Sequence, residues 1–271
     1  RPLAGRRGAL PLPMDPPASW TNVELRYWRA RGRAEMLRLA LAEAGIPYKN
    51  VFVPDVDKDG FLKECRELGG HLTTNIPMLS FGGAHYTQTL AILRKIGRLA
   101  GGRMYPKDDP EKEYRIDMLI DAGEDFRGPV LTLAFSDGDW RGPGKPEVRW
   151  WLENVAGPPH VGNFARLLGD GPYLCGSDFT IADVYWYDLL ANCLERVIPG
   201  TLNKVPQLRA YVDRVAARPA IAAWLASEAS AEIPYWTEKG SSTERLTPKV
   251  ADTEKLTAPK VARVSTIIIA L

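Results

Sequence analysis

The chain has 271 residues, 45% of them hydrophobic, with 35 basic and 33 acidic side chains and a formal net charge of +2. That length and composition suit two packed units with cores of their own, and they exclude a disordered or membrane-embedded chain. The even charge balance, with basic residues spread rather than clustered, argues against nucleic acid as a partner.

The first twenty residues hold three arginines, five prolines and one acid, with no long apolar run. Residues 1–21 therefore read as a disordered N-terminal arm, with the remnant of an organellar targeting sequence as the alternative and Met14 as a candidate start. Residues 23–28 alternate and are rich in β-formers. Gly32 supplies a turn, and a helix from about Arg33 carries Met36, Leu37, Leu39, Ala40 and Ala44 at helical spacing before ending at Gly45. A second strand over residues 46–53 completes a βαβ unit.

Residues 55–70 give a polar turn and a short helix bearing Phe61, Leu62, Lys63 and Cys65. Pro77 then opens a strand reaching Phe81. Gly82-Gly83 turns the chain into a short strand through Thr87, and Leu90, Leu93, Ile96 and Leu99 set the period of a helix over residues 88–99. The order βαβαββα with a mixed four-stranded sheet is a thioredoxin-like α/β topology, assigned to residues 22–100. Residues 101–110 form a linker, since no hydrophobic period crosses them.

Residues 111–235 are helical in pattern, which makes the second domain all-α. In the first long helix, residues 111–135, Pro129 should bend or break the rod. A second helical region follows Pro146 and is interrupted at Gly157-Pro158-Pro159. Thr180-Ile181-Ala182-Asp183 reads as a capping box opening an apolar helix through about Val197, and shorter helices start near Val205 and at Pro219. Residues 236–271 are a C-terminal extension with a degenerate repeat, residues 243–251 recurring as 253–262. It ends in an apolar stretch too short to span a membrane but suited to adding a strand to another sheet. The three distant cysteines, Cys65, Cys175 and Cys193, exclude a disulfide scaffold and suit a reducing compartment. The scattered histidines His71, His85 and His160 show no metal-ligand spacing.

A tyrosine where a strand gives way to a helix sits where α/β folds put ligands. On position alone, Tyr27 reads as a ring packed at a strand end, Lys63 and Asp125 as solvated charges, and Gln88-Thr89 as an ordinary helix cap. The combination Leu25-x-Tyr27-Trp28 followed by Arg31-Gly32-Arg33-Ala34-Glu35 resembles the opening of the cytosolic glutathione transferases of the tyrosine-using, sigma-, pi- and mu-like classes. It departs from their pattern only at Trp28. The resemblance extends over residues 22–232. It implies a glutathione transferase fold, a homodimer, and glutathione as substrate or cofactor with no metal.

Carried over residue by residue, the resemblance implies that Tyr27 donates to the thiolate with Arg33 as an electrostatic helper. Ile76-Pro77 would be a cis bond that, with Asn75, frees the backbone to pair with the tripeptide. Gln88 and Thr89 would hold the γ-glutamyl carboxylate at a helix N-terminus, Lys63 the glycyl carboxylate, and Asp125 the amino group of glutathione on the neighbouring subunit. Trp28 and Phe135 would line the hydrophobic-substrate side, while Thr180 and Asp183 would be structural. A thiol of pKa about 8.5 needs roughly 2.7 kcal/mol to fall two units. One or two hydrogen bonds to the thiolate at about 1.5 to 3 kcal/mol each supply that.

The function expected is conjugation of glutathione to hydrophobic electrophiles in the cytoplasm, or in an organelle if the arm is a targeting remnant. Isomerisation with glutathione as cofactor differs only in the substrate pocket. The rival from another class is a transferase fold kept as a docking subunit, its terminal arms laid on other proteins.

Overall fold

The computed structural model describes residues 22–70, 76–135, 162–197 and 200–235. The terminal arm, the repeat extension, Asn75 and the helical region expected after Pro146 lie outside these. Strand β1 (Glu24–Tyr27) is central. It pairs in parallel with β2 (Lys49–Phe52) and antiparallel with β3 (Met78–Phe81), which pairs antiparallel with β4 (Ala84–Tyr86), giving the order β2-β1-β3-β4. Helices α1 (Glu35–Ala44), α2 (Lys58–Leu68) and α3 (Thr89–Leu99) complete the βαβαββα unit read from the sequence.

The boundaries differ from expectation where backbone groups find other partners. A 3-10 turn, Gly32–Ala34, precedes α1, because the Arg33 amide is taken by the Tyr27 hydroxyl. β2 starts at Lys49 rather than Ile46, since the Ile46 amide caps α1 by donating to Leu41 and Pro47 has no amide to give. Gly45 ends α1 at φ 69°, the left-handed conformation glycine adopts freely.

The helical unit begins with α4 (Pro110–Phe135). Pro129 does not break it: a proline forfeits one amide donor, and α4 is already anchored two residues earlier by the buried Arg127. After α5 (Gly162–Leu168) comes α6 (Ile181–Tyr187), opened by the expected capping box. The Asp183 carboxylate accepts from the Thr180 amide at 2.8 Å and its hydroxyl at 3.1 Å, and also from the Leu174 amide and the Tyr211 hydroxyl. Instead of running on as regular helix, the chain widens into a π segment, Asp188–Leu194, before a last turn, Glu195–Val197. Asn192 there returns to the Asp188 carboxylate at 3.0 Å. Helices α7 (Pro206–Ala216), α8 (Pro219–Leu225) and α9 (Glu228–Ala231) finish the fold.

One hydrophobic core runs through both units, from Leu25, Leu37 and Ile92 to Ile120, Val184 and Leu189. Two glycines show how tightly the layers meet. A Cβ on Gly97 would lie 2.7 Å from Ile181 and Tyr105, and one on Gly123 would enter the Tyr185 ring. The thioredoxin-like sheet is thus fixed against α4 and α6 by burial, and its β1 end faces the start of that interface. Among the described residues, no helix is long and apolar enough to cross a membrane and no His/Cys/Asp/Glu cluster could hold a metal ion.

Candidate active site

Tyr27 is the last residue of β1, half-buried against the core, with its carbonyl held by the Val53 amide at 3.0 Å. Its hydroxyl oxygen accepts the Arg33 backbone amide at 3.1 Å. The chain must double back sharply to bring that amide there, and Gly32 lets it do so. Its φ is +40°, and a Cβ would sit 2.8 Å from the Tyr27 hydroxyl oxygen. Burial pushes the phenol above its ordinary value, opposed by the Arg33 amide and by the charges of Arg38 and Arg33. Tyr27 is therefore a neutral donor at physiological pH. Its hydroxyl proton has no acceptor among the described residues, and an amide drawing on the oxygen makes that O–H a stronger donor.

Arg33 does two things. While its amide holds the phenol, its guanidinium reaches across to α4, with Nη2 2.8 Å from Glu124 Oε2 and Nη1 3.4 Å from Oε1. The Tyr185 hydroxyl donates to Glu124 Oε1 at 2.8 Å and receives Arg127 Nε at 3.2 Å, and Arg127 Nη2 meets Asp188 at 2.8 Å. A continuous polar chain thus runs from the tyrosine hydroxyl to the middle of the helical unit. Burial alone would raise the Glu124 carboxyl, but the Arg33 hydrogen bond and charge, with Tyr185, hold it below the usual range. Burial raises Asp188 in spite of the Arg127 charge.

The Ile76-Pro77 peptide bond is cis, and it leads into β3 beside Tyr27, since Arg26 pairs with Met78. Gln88 lies just before α3 with φ 70° and ψ 104°, and its side chain caps nothing, whereas Thr89 is buried in the first turn. A non-glycine residue at positive φ costs about 1–3 kcal/mol, and such strain gathers at ligand sites. The free amides that open an eleven-residue helix and an exposed Gln88 side chain that caps none of them share one end of α3.

Other expected residues are less engaged. Lys63 on α2 and Asp125 on α4 are exposed and make no hydrogen bond or ion pair among the described residues. Trp28 is half-buried, and one face of its ring is covered by the Lys58 ammonium at 4.9 Å. Phe135 is the last residue of α4. Asn75 lies outside the described residues.

Sequence reasoning missed Glu124, Arg127 and Asp188, although Glu124 and Arg127 stand three apart beside Asp125 and so share a helix face. Their partners are 58 to 91 positions away. In the sequence Glu35 stands out only as part of the Arg31–Glu35 pattern, yet it is fully buried among three donors: Arg31, Arg38 and Trp224.

Comparison with known proteins agrees with this geometry. Residues 23–98 match the family model for the N-terminal domain of glutathione S-transferase, and residues 124–228 that for its C-terminal domain. The chain is 32% identical over 214 residues to glutathione S-transferase P 1 of Bufo bufo, covering 77% of this chain and 93% of that one. It is 32% identical over 213 residues to glutathione S-transferase P of Homo sapiens, with the same coverages. To hematopoietic prostaglandin D synthase of Gallus gallus it is 31% identical over 204 residues, 75% of this chain and 95% of that one. The Pi-class glutathione S-transferase structure of Onchocerca volvulus superposes with a TM-score of 0.64 at 20% identity, covering 79% of this chain and 97% of that one, which speaks to the fold.

Proposed function

The chain belongs to the glutathione S-transferase family, and from that premise we propose that it conjugates the thiol of glutathione to small hydrophobic electrophiles with Tyr27 as the thiolate-stabilising donor. The observation that carries this reading is the Tyr27 hydroxyl, which accepts the Arg33 amide and keeps its own proton to give. That proton bonds to the sulfur and favours the ionised form. The thiol proton leaves to water, and the sulfur lone pair forms the carbon–sulfur bond as the electrophile either loses a leaving group with its bonding pair or shifts a π pair to a neighbouring atom that takes a proton from water.

In this reading the tripeptide lies along the backbone that follows the cis Ile76-Pro77 bond, with Asn75 beside it. Its γ-glutamyl carboxylate meets Gln88 and the amides that open α3. The strain at Gln88 supports this placement, as does its uncommitted side chain. Lys63 serves the glycyl carboxylate, while Trp28 and Phe135 border the electrophile. Arg33 acts chiefly through its backbone, since Glu124 shares its charge. Asp125, exposed on α4 and without an ion pair among the described residues, reaches the glutathione of a second subunit in a two-fold homodimer. Removal of reactive electrophiles in the cytoplasm is the role this chemistry suits.

A second reading, with glutathione as a cofactor that is regenerated, is favoured by the prostaglandin D synthase among the relatives. The docking-subunit alternative has no observation in its favour. The test is glutathione binding and conjugation by the chain beside Tyr27→Phe. Losing one hydrogen bond to a charged sulfur, about 1.5–3 kcal/mol, lowers kcat/KM by roughly 10- to 150-fold while glutathione still binds. Absence of glutathione binding by the unmodified chain defeats the proposal. Turnover of an electrophile without consumption of glutathione selects the second reading.

A further inference from the structure

The thiolate-stabilising turn is fastened from below by a charge cluster that takes no part in the chemistry. Glu35, fully buried at the start of α1, accepts from Arg31 Nη1 at 2.6 Å, Arg38 Nη1 at 3.0 Å and Trp224 Nε1 at 3.0 Å. Arg38, also fully buried, donates to the Ala30 and Arg31 carbonyls at 3.2 and 3.3 Å. The Arg31 guanidinium goes the other way, into the end of the helical unit. There Nη2 donates to the Ser230 carbonyl at 3.0 Å and hydroxyl at 2.9 Å, and the Arg31 amide donates to the Pro234 carbonyl at 3.0 Å. Tyr235 lies under the same guanidinium, 4.5 Å from its ring centre.

These bonds fall on Ala30 and Arg31, the last two of the four residues that join Tyr27 to the 3-10 turn. Within that loop the Ala30 and Arg31 carbonyls and the Arg31 amide are all held, by α1 on one side and by residues 224–235 on the other. The Arg33 amide meets the Tyr27 hydroxyl at 3.1 Å only two residues beyond Arg31. A hydrogen bond at that distance weakens sharply with a displacement of a few tenths of an ångström. Two guanidiniums share one carboxylate here, so slackening any bond to Glu35 loosens the others as well.

From this we infer that residues 224–235 are a positioning element for the thiolate-stabilising turn, acting through Trp224 and Ser230 on Glu35 and Arg31. The inference rests on the conjugation reading above. Trp224 and Ser230 touch no reacting atom and are positioning residues. With the clasp intact, the Tyr27 hydroxyl is aimed before glutathione arrives. With it slack, glutathione still binds through Gln88 and the start of α3 but its thiol is ionised less.

The experiment uses the full chain with Trp224→Phe and Ser230→Ala, singly and together, and Ser230→Thr as the conservative control. Amide hydrogen exchange without glutathione reads the turn directly. In the double variant the Arg33 amide should exchange about tenfold faster or more, while amides of the β3 strand keep their rates. The kcat of conjugation should fall about tenfold, with glutathione KM within about twofold and the acid limb of the pH profile, where the thiol ionises, moved to higher pH. Ser230→Thr, which keeps the hydroxyl, should behave as the unmodified chain. Unchanged Arg33 exchange in a folded double variant overturns the inference, as does a kcat loss with no movement of the pH profile. Should the double variant not fold, Ser230→Ala alone carries the same exchange test. If the unmodified chain fails to bind glutathione, the conjugation reading falls, and the exchange result still decides whether the segment positions the turn.

Discussion

Replacing Asp188 with asparagine asks how much the polar chain behind the candidate active site contributes to the fold. Asp188 and Arg127 are 2% and 4% exposed in their side chains and meet at 2.8 Å, with Asn192 on the second carboxylate oxygen. Asparagine keeps the shape and one acceptor but leaves the Arg127 charge with only Glu124, 3.5 Å away and already held by Arg33. Removing one partner of a buried pair costs about 3–5 kcal/mol, chiefly because the remaining charge is stranded. That is a large share of the roughly 5–15 kcal/mol that holds a domain. Arg127→Met should cost a similar amount by stranding Asp188. The double variant strands neither, so it should be more stable than the sum of the singles predicts by about 2 kcal/mol or more. Equilibrium urea unfolding at neutral pH and fixed protein concentration, followed by tryptophan fluorescence, measures all four corners of the cycle. A single-variant cost below about 1 kcal/mol, or simple additivity, refutes the reasoning.

Three further outcomes follow from local geometry. Gly123→Ala places a methyl in the Tyr185 ring, so it should cost about 1–3 kcal/mol and lower the melting temperature by several degrees; an unchanged melting curve contradicts the packing of α4 on α6. Burial pushes Asp183 up to about 6 against the hydrogen bonds it accepts, from an ordinary 3.8. The stability linked to its protonated form is complete below the ordinary value and lost as pH rises through the folded one. Asp183→Asn is destabilised throughout, because asparagine cannot accept from all of Leu174, Thr180 and Tyr211, but the gap to the unmodified chain should narrow by up to about 3 kcal/mol as pH rises through that window. Thermal melts of both chains at a series of pH values show whether it does. Gln88→Gly relieves the positive φ and should stabilise the chain by up to about 1 kcal/mol, while glutathione KM rises about tenfold through loss of the side-chain contact; a variant with unaltered KM removes Gln88 from the site.

How much of this could be read in advance depends on how far each signal travels along the chain. The β1 strand, its glycine turn and the helix beyond were legible because alternation, Gly32 and the apolar spacing of Met36 to Ala44 are all local. So was the capping box, whose two members stand three residues apart. Ends of elements were less legible, because tertiary partners move them. Arg33 leaves the helix to serve Tyr27, and Gln88 leaves α3 by adopting a left-handed backbone. The polar chain through Glu124, Tyr185, Arg127 and Asp188 could not be read, since nothing in the sequence links residues 33, 124 and 185 until the two units are folded together. Nor could the burial of Glu35 be foreseen, because its third donor, Trp224, comes from the far end of the chain 189 residues on.

The central claim is that the Tyr27 hydroxyl keeps the sulfur of glutathione ionised. Spectroscopic titration of the thiolate of glutathione bound to the unmodified chain and to Tyr27→Phe tests it most directly. The account predicts a bound thiol titrating about two units below its free value of about 8.5 in the unmodified chain and returning most of that distance in the variant. Equal titration in both chains, with glutathione bound to each, would contradict it.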